Sequence, residues 1–88
     1  MFVDLDKIIQ VSIRQAERWY RASLQDKDLK IANLHIDYAV NGIDTLRMFV
    51  NDKQITDITG IDPLKFRNQA IERQDEVQSK ILKVCTNL

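Results

Sequence analysis

The chain has 88 residues, 44% hydrophobic and 30% charged, and its 13 basic and 13 acidic side chains leave no formal net charge. This length makes one domain with a modest core, and the charge balance argues against a dedicated polyanion binder, which carries a basic excess. One proline and two glycines favour helices, and a single cysteine, Cys85, allows no internal disulfide and fits a reducing compartment.

The opening Met1-Phe2-Val3-Asp4-Leu5-Asp6 lacks the basic-then-apolar order of a signal peptide. No apolar run approaches the ~20 residues of a membrane span, so the expectation is a cytoplasmic protein with no membrane contact.

The first predicted element is a helix from about Asp4 to Leu24. Leu5, Ile9, Ser12, Ile13, Ala16, Tyr20 and Leu24 share one face, with Ile8 and Trp19 beside them, and Lys7, Gln10, Arg14, Glu17, Arg18 and Arg21 take the other. Gln25-Asp26-Lys27-Asp28 reads as a short turn plus the N-cap of the next helix, which makes the two helices antiparallel neighbours.

The second helix spans about Asp28 to Val50. Leu29, Ala32, Ile36, Ala39, Ile43, Leu46 and Val50 form a seam at steps of three and four, and Lys30, Asn33, Asp37, Asn41 and Asp44 trace a polar stripe. Asn41-Gly42 also has the form of a hairpin turn between alternating residues. A hairpin register leaves neither face clean, and the helix gives one clean stripe, so the helix is preferred. Gly42 falls on the apolar side, where it lets a neighbouring helix approach closely.

A short helix follows, capped by Asn51 or Asp52, with Gln54 three residues after Asn51, and ended by Gly60 with Ile61 as its hydrophobic contact. Its core residues are Ile55 and Ile58. Asp62-Pro63 then caps and begins a last helix to about Cys85, with Phe66, Ala70, Val77, Ile81, Val84 and Leu88 as its seam. Its middle, Glu72 to Gln78, holds one apolar residue and reads as the exposed part. The fold expected is all-α: a small bundle of three long helices and one short helix, completed by dimerisation.

Four groups of residues invite a chemical reading. Residues 53–71 align with a degenerate helix-turn-helix around Gly60, with Ile55, Ile61 and Phe66 at apolar positions and Lys65, Arg67, Asn68, Glu72 and Arg73 on the would-be recognition face. Gln69 and Pro63 depart from that pattern, and two packed helices with a glycine cap explain it as well. Arg14, Arg18 and Arg21 form a stripe that suits an anion or nucleic acid, or a solvated face. Glu72, Asp75 and Glu76 share one turn, and Glu72-Arg73-Gln74-Asp75 has the ExxD form of helical pyrophosphohydrolases, but the ExxE partner is missing. His35 has no second histidine near it, and pairing it with Cys85 as a nucleophile has no motif behind it. No catalytic, cofactor or metal residue is therefore expected.

The pattern His35-Ile36-Asp37-Tyr38-Ala39-Val40, then Ile55-Thr56-Asp57-Ile58-Thr59-Gly60-Ile61-Asp62, Phe66 and Lys83-Val84-Cys85, resembles small uncharacterised helical proteins of marine tailed phages. The resemblance covers residues 30–85. It implies a host-cytoplasmic setting and an accessory role, and no activity or cofactor. The function expected is a non-enzymatic helical interaction module that forms a homodimer and binds another, unknown protein. Trp19, Tyr20 and Ile8 are its candidate interface. The alternative is a nucleic-acid-binding module using Arg14, Arg18 and Arg21, or Lys65 and Arg67.

Overall fold

The computed structural model describes residues 4–86 as four helices: α1 (Leu5–Gln25), α2 (Leu29–Phe49), α3 (Asp52–Thr59) and α4 (Pro63–Thr86). Residues 32–49 are helical, so Asn41-Gly42 lies inside α2 and makes no hairpin.

Local chemistry sets the breaks. Asp4 accepts from the Lys7 amide, and Asp28 accepts from the amides of Lys30 and Ile31, each satisfying donors that a helix start leaves open. Asn51 and Gln54 form a reciprocal capping box at α3. Gly60 closes α3 with φ +74°, a left-handed conformation that glycine adopts without a Cβ penalty. Asp62 then accepts from the Leu64 and Lys65 amides, and Pro63 sits in the first turn, where its missing N–H costs nothing.

The α1–α2 hairpin carries the rest. Ile9, Ile13 and Ala16 of α1 meet Ile43, Leu46 and Val50 of α2, and Ile55 and Phe66 close this cluster from α3 and α4. A second cluster joins Ile36, Ala39 and Val40 to Ala70 of α4. The pairs Arg67–Asp44 and Gln74–Asp37 show that α4 runs antiparallel to α2. A methyl built on Gly42 would lie 3.8 Å from Ala16 Cβ, an ordinary contact, so the two helices do not need glycine there.

The structure departs from the sequence reading in three further places. Leu5 and Leu24 are about half exposed, and Leu5 lies on the side of α1 that α3 and α4 leave open. Asn33, Asp37 and Asp44 of the polar stripe are half-buried, and Asp37 and Asp44 supply polar partners to α4. The middle of α4 is exposed at Glu72, Asp75, Glu76 and Gln78, as expected, but it is covered on one face, and its last turns, expected in the seam, are largely exposed. Val77 is fully buried, and Arg73 and Gln74 are half-buried beside α1 and α2, whereas Leu82 and Val84 are exposed. Since α4 is antiparallel to α2, its turns after Val77 pass the start of α2 at Leu29. Leu88, assigned to the α4 seam, lies outside the described residues.

Candidate functional site

α3 and α4 cover one side of the hairpin. The other side is an open groove of about 680 Å³ between α1 and α2. α1 contributes Leu5, Ile8, Ser12, Gln15 and Trp19, at steps of three and four, with Val11 beside them. α2 contributes Tyr38, Asn41, Thr45 and Phe49, also at three- and four-residue steps. Such spacing keeps each set on one face of its helix, as in the seam of a coiled coil. Phe49 is 78% exposed, and Leu5, Ile8, Val11 and Tyr38 are each 43–45% exposed.

The groove has an order along its length. Leu5, Ile8, Val11 and Phe49 occupy one end, and Trp19 and Tyr38 the other. Between them lie Ser12, Gln15, Asn41 and Thr45, at the level where Ala16 meets Gly42. At the Trp19 end the indole lies 5.0 Å from the His35 ring and 5.2 Å from the Tyr38 ring, centre to centre. His35 Nδ1 donates to Asp26 Oδ2 at 2.6 Å, which fixes the ring and ties the α1–α2 turn to α2.

The structure separates the three residues expected at an interface. Ile8 and Trp19 line the groove, whereas Tyr20 packs edge-on against Phe66 at 5.8 Å, on the core side. No protein-family model, curated protein or solved structure matches the chain. What the surface can do therefore rests on its own geometry.

The basic residues are dispersed. Arg14, Arg18 and Arg21 are exposed on α1, and Arg21 lies 3.5 Å from Glu17. Arg67 is held by both carboxylate oxygens of Asp44. Arg73 donates to the Ser23 carbonyl near the end of α1 and to Glu76. Lys65 is exposed beside Asn68, Gln69 and Glu72 in a separate shallow depression. The helix-turn-helix face thus has Arg67 and Arg73 engaged within the fold, and Gln69, at its expected core position, is exposed.

Among the described residues no three His, Cys, Asp or Glu side chains gather as a metal-holding group. Glu76 is paired with Arg73 and Lys80, and Cys85 is exposed on the last turns of α4. No helix among the described residues is long and apolar enough to cross a membrane.

The sequence reading gives no role to Gln15 and Thr45 and puts Ser12 on the main apolar face of α1. The signal was present as a second three-four repeat on α1, Leu5-Ile8-Ser12-Gln15-Trp19, running beside the core seam. Its two polar members hide it from a reading that seeks apolar residues alone.

Proposed function

We propose that this protein is a non-enzymatic helical interaction module that self-associates through the α1–α2 groove. The observation that carries this reading is the groove itself, apolar at both ends and lined by helices at coiled-coil spacing. Tyr38 is the one titratable side chain along it, so it offers little to acid–base or nucleophilic chemistry and much to a packed helix.

The exposed area favours a second copy as the occupant. At ~200 Å² per large side chain, the exposed fractions of Leu5, Ile8, Val11, Tyr38 and Phe49 amount to roughly 500 Å² of apolar surface. A standard stable interface buries ~800 Å² per partner, about 65% of it apolar in homodimers, which is nearly the same figure. Zero net charge adds no repulsion between copies. A cytoplasmic, reducing setting accords with the exposed thiol of Cys85.

Sedimentation equilibrium tests the reading. The wild-type chain should show a dimer mass, and Ile8→Glu should give a monomer with unchanged helix content, because Ile8 is outside the core. A wild-type monomer throughout would refute it.

A further inference from the structure

The groove's polar centre carries a more specific inference, which rests on the self-association reading above. We infer that Gln15 and Asn41, with Ser12 and Thr45, form a layer that meets the same layer of a second copy and sets the register of the dimer.

The argument starts from what can pair with itself. In a two-fold interface each surface meets its own copy. A lysine or a carboxylate placed near such an axis meets a like charge. An amide or a hydroxyl carries both donor and acceptor, so it can pair with an identical group. The centre of the groove holds two amides and two hydroxyls and no charged side chain. Gln15, Asn41 and Thr45 are exposed in the single chain, and among the described residues no hydrogen bond engages the Gln15 or Asn41 side-chain amide. Their partners are thus left to solvent or to a neighbour.

Position gives the second part. The four residues sit at mid-groove with large apolar side chains on both sides. If one copy slides by a helical turn, amides come to rest against Ile8 and Phe49, or against Trp19 and Tyr38. Polar groups then lose water without gaining a partner, which is unfavourable. Only layer against layer satisfies both the amides and the apolar ends. A polar residue in a coiled-coil seam acts in this way, fixing register and assembly number while lowering affinity.

The test uses the full chain in three forms, each checked for helix content and studied by sedimentation equilibrium. Gln15→Glu/Asn41→Asp puts four carboxylates into the one layer. At neutral pH its dimer should weaken by more than ~100-fold, since like charges across an interface are strongly disfavoured. Gln15→Leu/Asn41→Leu should associate more tightly and lose its single assembly number. A wild-type dimer that tolerates all four carboxylates at neutral pH would overturn the layer and leave self-association standing. A wild-type monomer would overturn both. Charged and leucine variants that weaken the dimer equally would also overturn the layer, because they would show a requirement for shape alone.

Discussion

The covered and open sides of the α1–α2 hairpin are built from different chemistry. On the covered side the contacts are small or interlocked apolar groups, Ala39, Val40 and Ala70, bordered by the directed pairs Arg67–Asp44, Gln74–Asp37 and Arg73–Ser23. On the open side large side chains stand apart, with neutral amides and hydroxyls between them and no charged pair along the groove. Directed pairs with at least one charged member, as all three on the covered side are, suit a surface whose partner is a different segment at a fixed place. Groups that both donate and accept suit a surface whose partner is itself. The difference teaches that apolar content alone does not say what an amphipathic helix faces. The polar residues interleaved with it do.

The largest way to break the comparison is to empty the covered side. Ile43→Ala removes a fully buried side chain from the cluster shared by all four helices, and should cost about 2–4 kcal/mol in denaturant unfolding. A loss well under ~1 kcal/mol would place the core elsewhere. Next is Arg73→Ala, which leaves the Ser23 carbonyl without its donor at the junction of α1 and α4. Arg73 is only 11% exposed, so the loss should be about 1–3 kcal/mol, with no change in the groove.

A gain is expected where the two helices cross. Gly42→Ala adds a methyl at ordinary distance from Ala16 and removes a flexible residue from mid-helix. Stability should rise by about 0.5–1 kcal/mol. A loss would show that the crossing is tighter than 3.8 Å implies.

The smallest effect sharpens the contrast on the exposed face of α4, at Glu76. The hydrogen bond from Lys80, then the charges of Lys80 and Arg73, hold the Glu76 carboxyl below the usual glutamate range. The ionised form is favoured in the folded helix. Its contribution is therefore fully present above the ordinary glutamate pKa and is lost as pH falls through the lowered value. Lys80→Ala should move the Glu76 titration, followed by NMR, back up toward the ordinary range. Stability at neutral pH should hardly change, since exposed ion pairs contribute little.

Much of the fold was legible because the sequence marks its helix ends with local chemistry. Asp28, Asn51, Gly60 and Asp62-Pro63 each act within a few residues of themselves, and each does in the structure what its type suggests. The three-four seam of α2 was legible for the same reason, as Ala32, Ile36, Ala39, Ile43 and Leu46 are all buried. Tertiary placement was not. Arg73 looks like any charged residue of a helix, and only the arrival of α1's Ser23 carbonyl gives it a partner fifty residues away. Asp37 and Asp44 read as solvent-facing until α4 brings Gln74 and Arg67 to them. The breadth of apolar surface on α1 and α2 was visible, but its division into a covered and an open side depends on where α3 and α4 dock.

The open side holds the chain's one tryptophan, which gives the most direct measurement. Trp19 emission should be followed on dilution from about 100 μM to about 0.1 μM, a range that brackets ordinary dimer affinities. If the groove is closed by a second copy, the emission should shift to longer wavelength as the copies separate, along the curve that sedimentation gives for dissociation. Emission that stays constant while the mass halves would contradict the account, because it would place the contact between copies away from the groove.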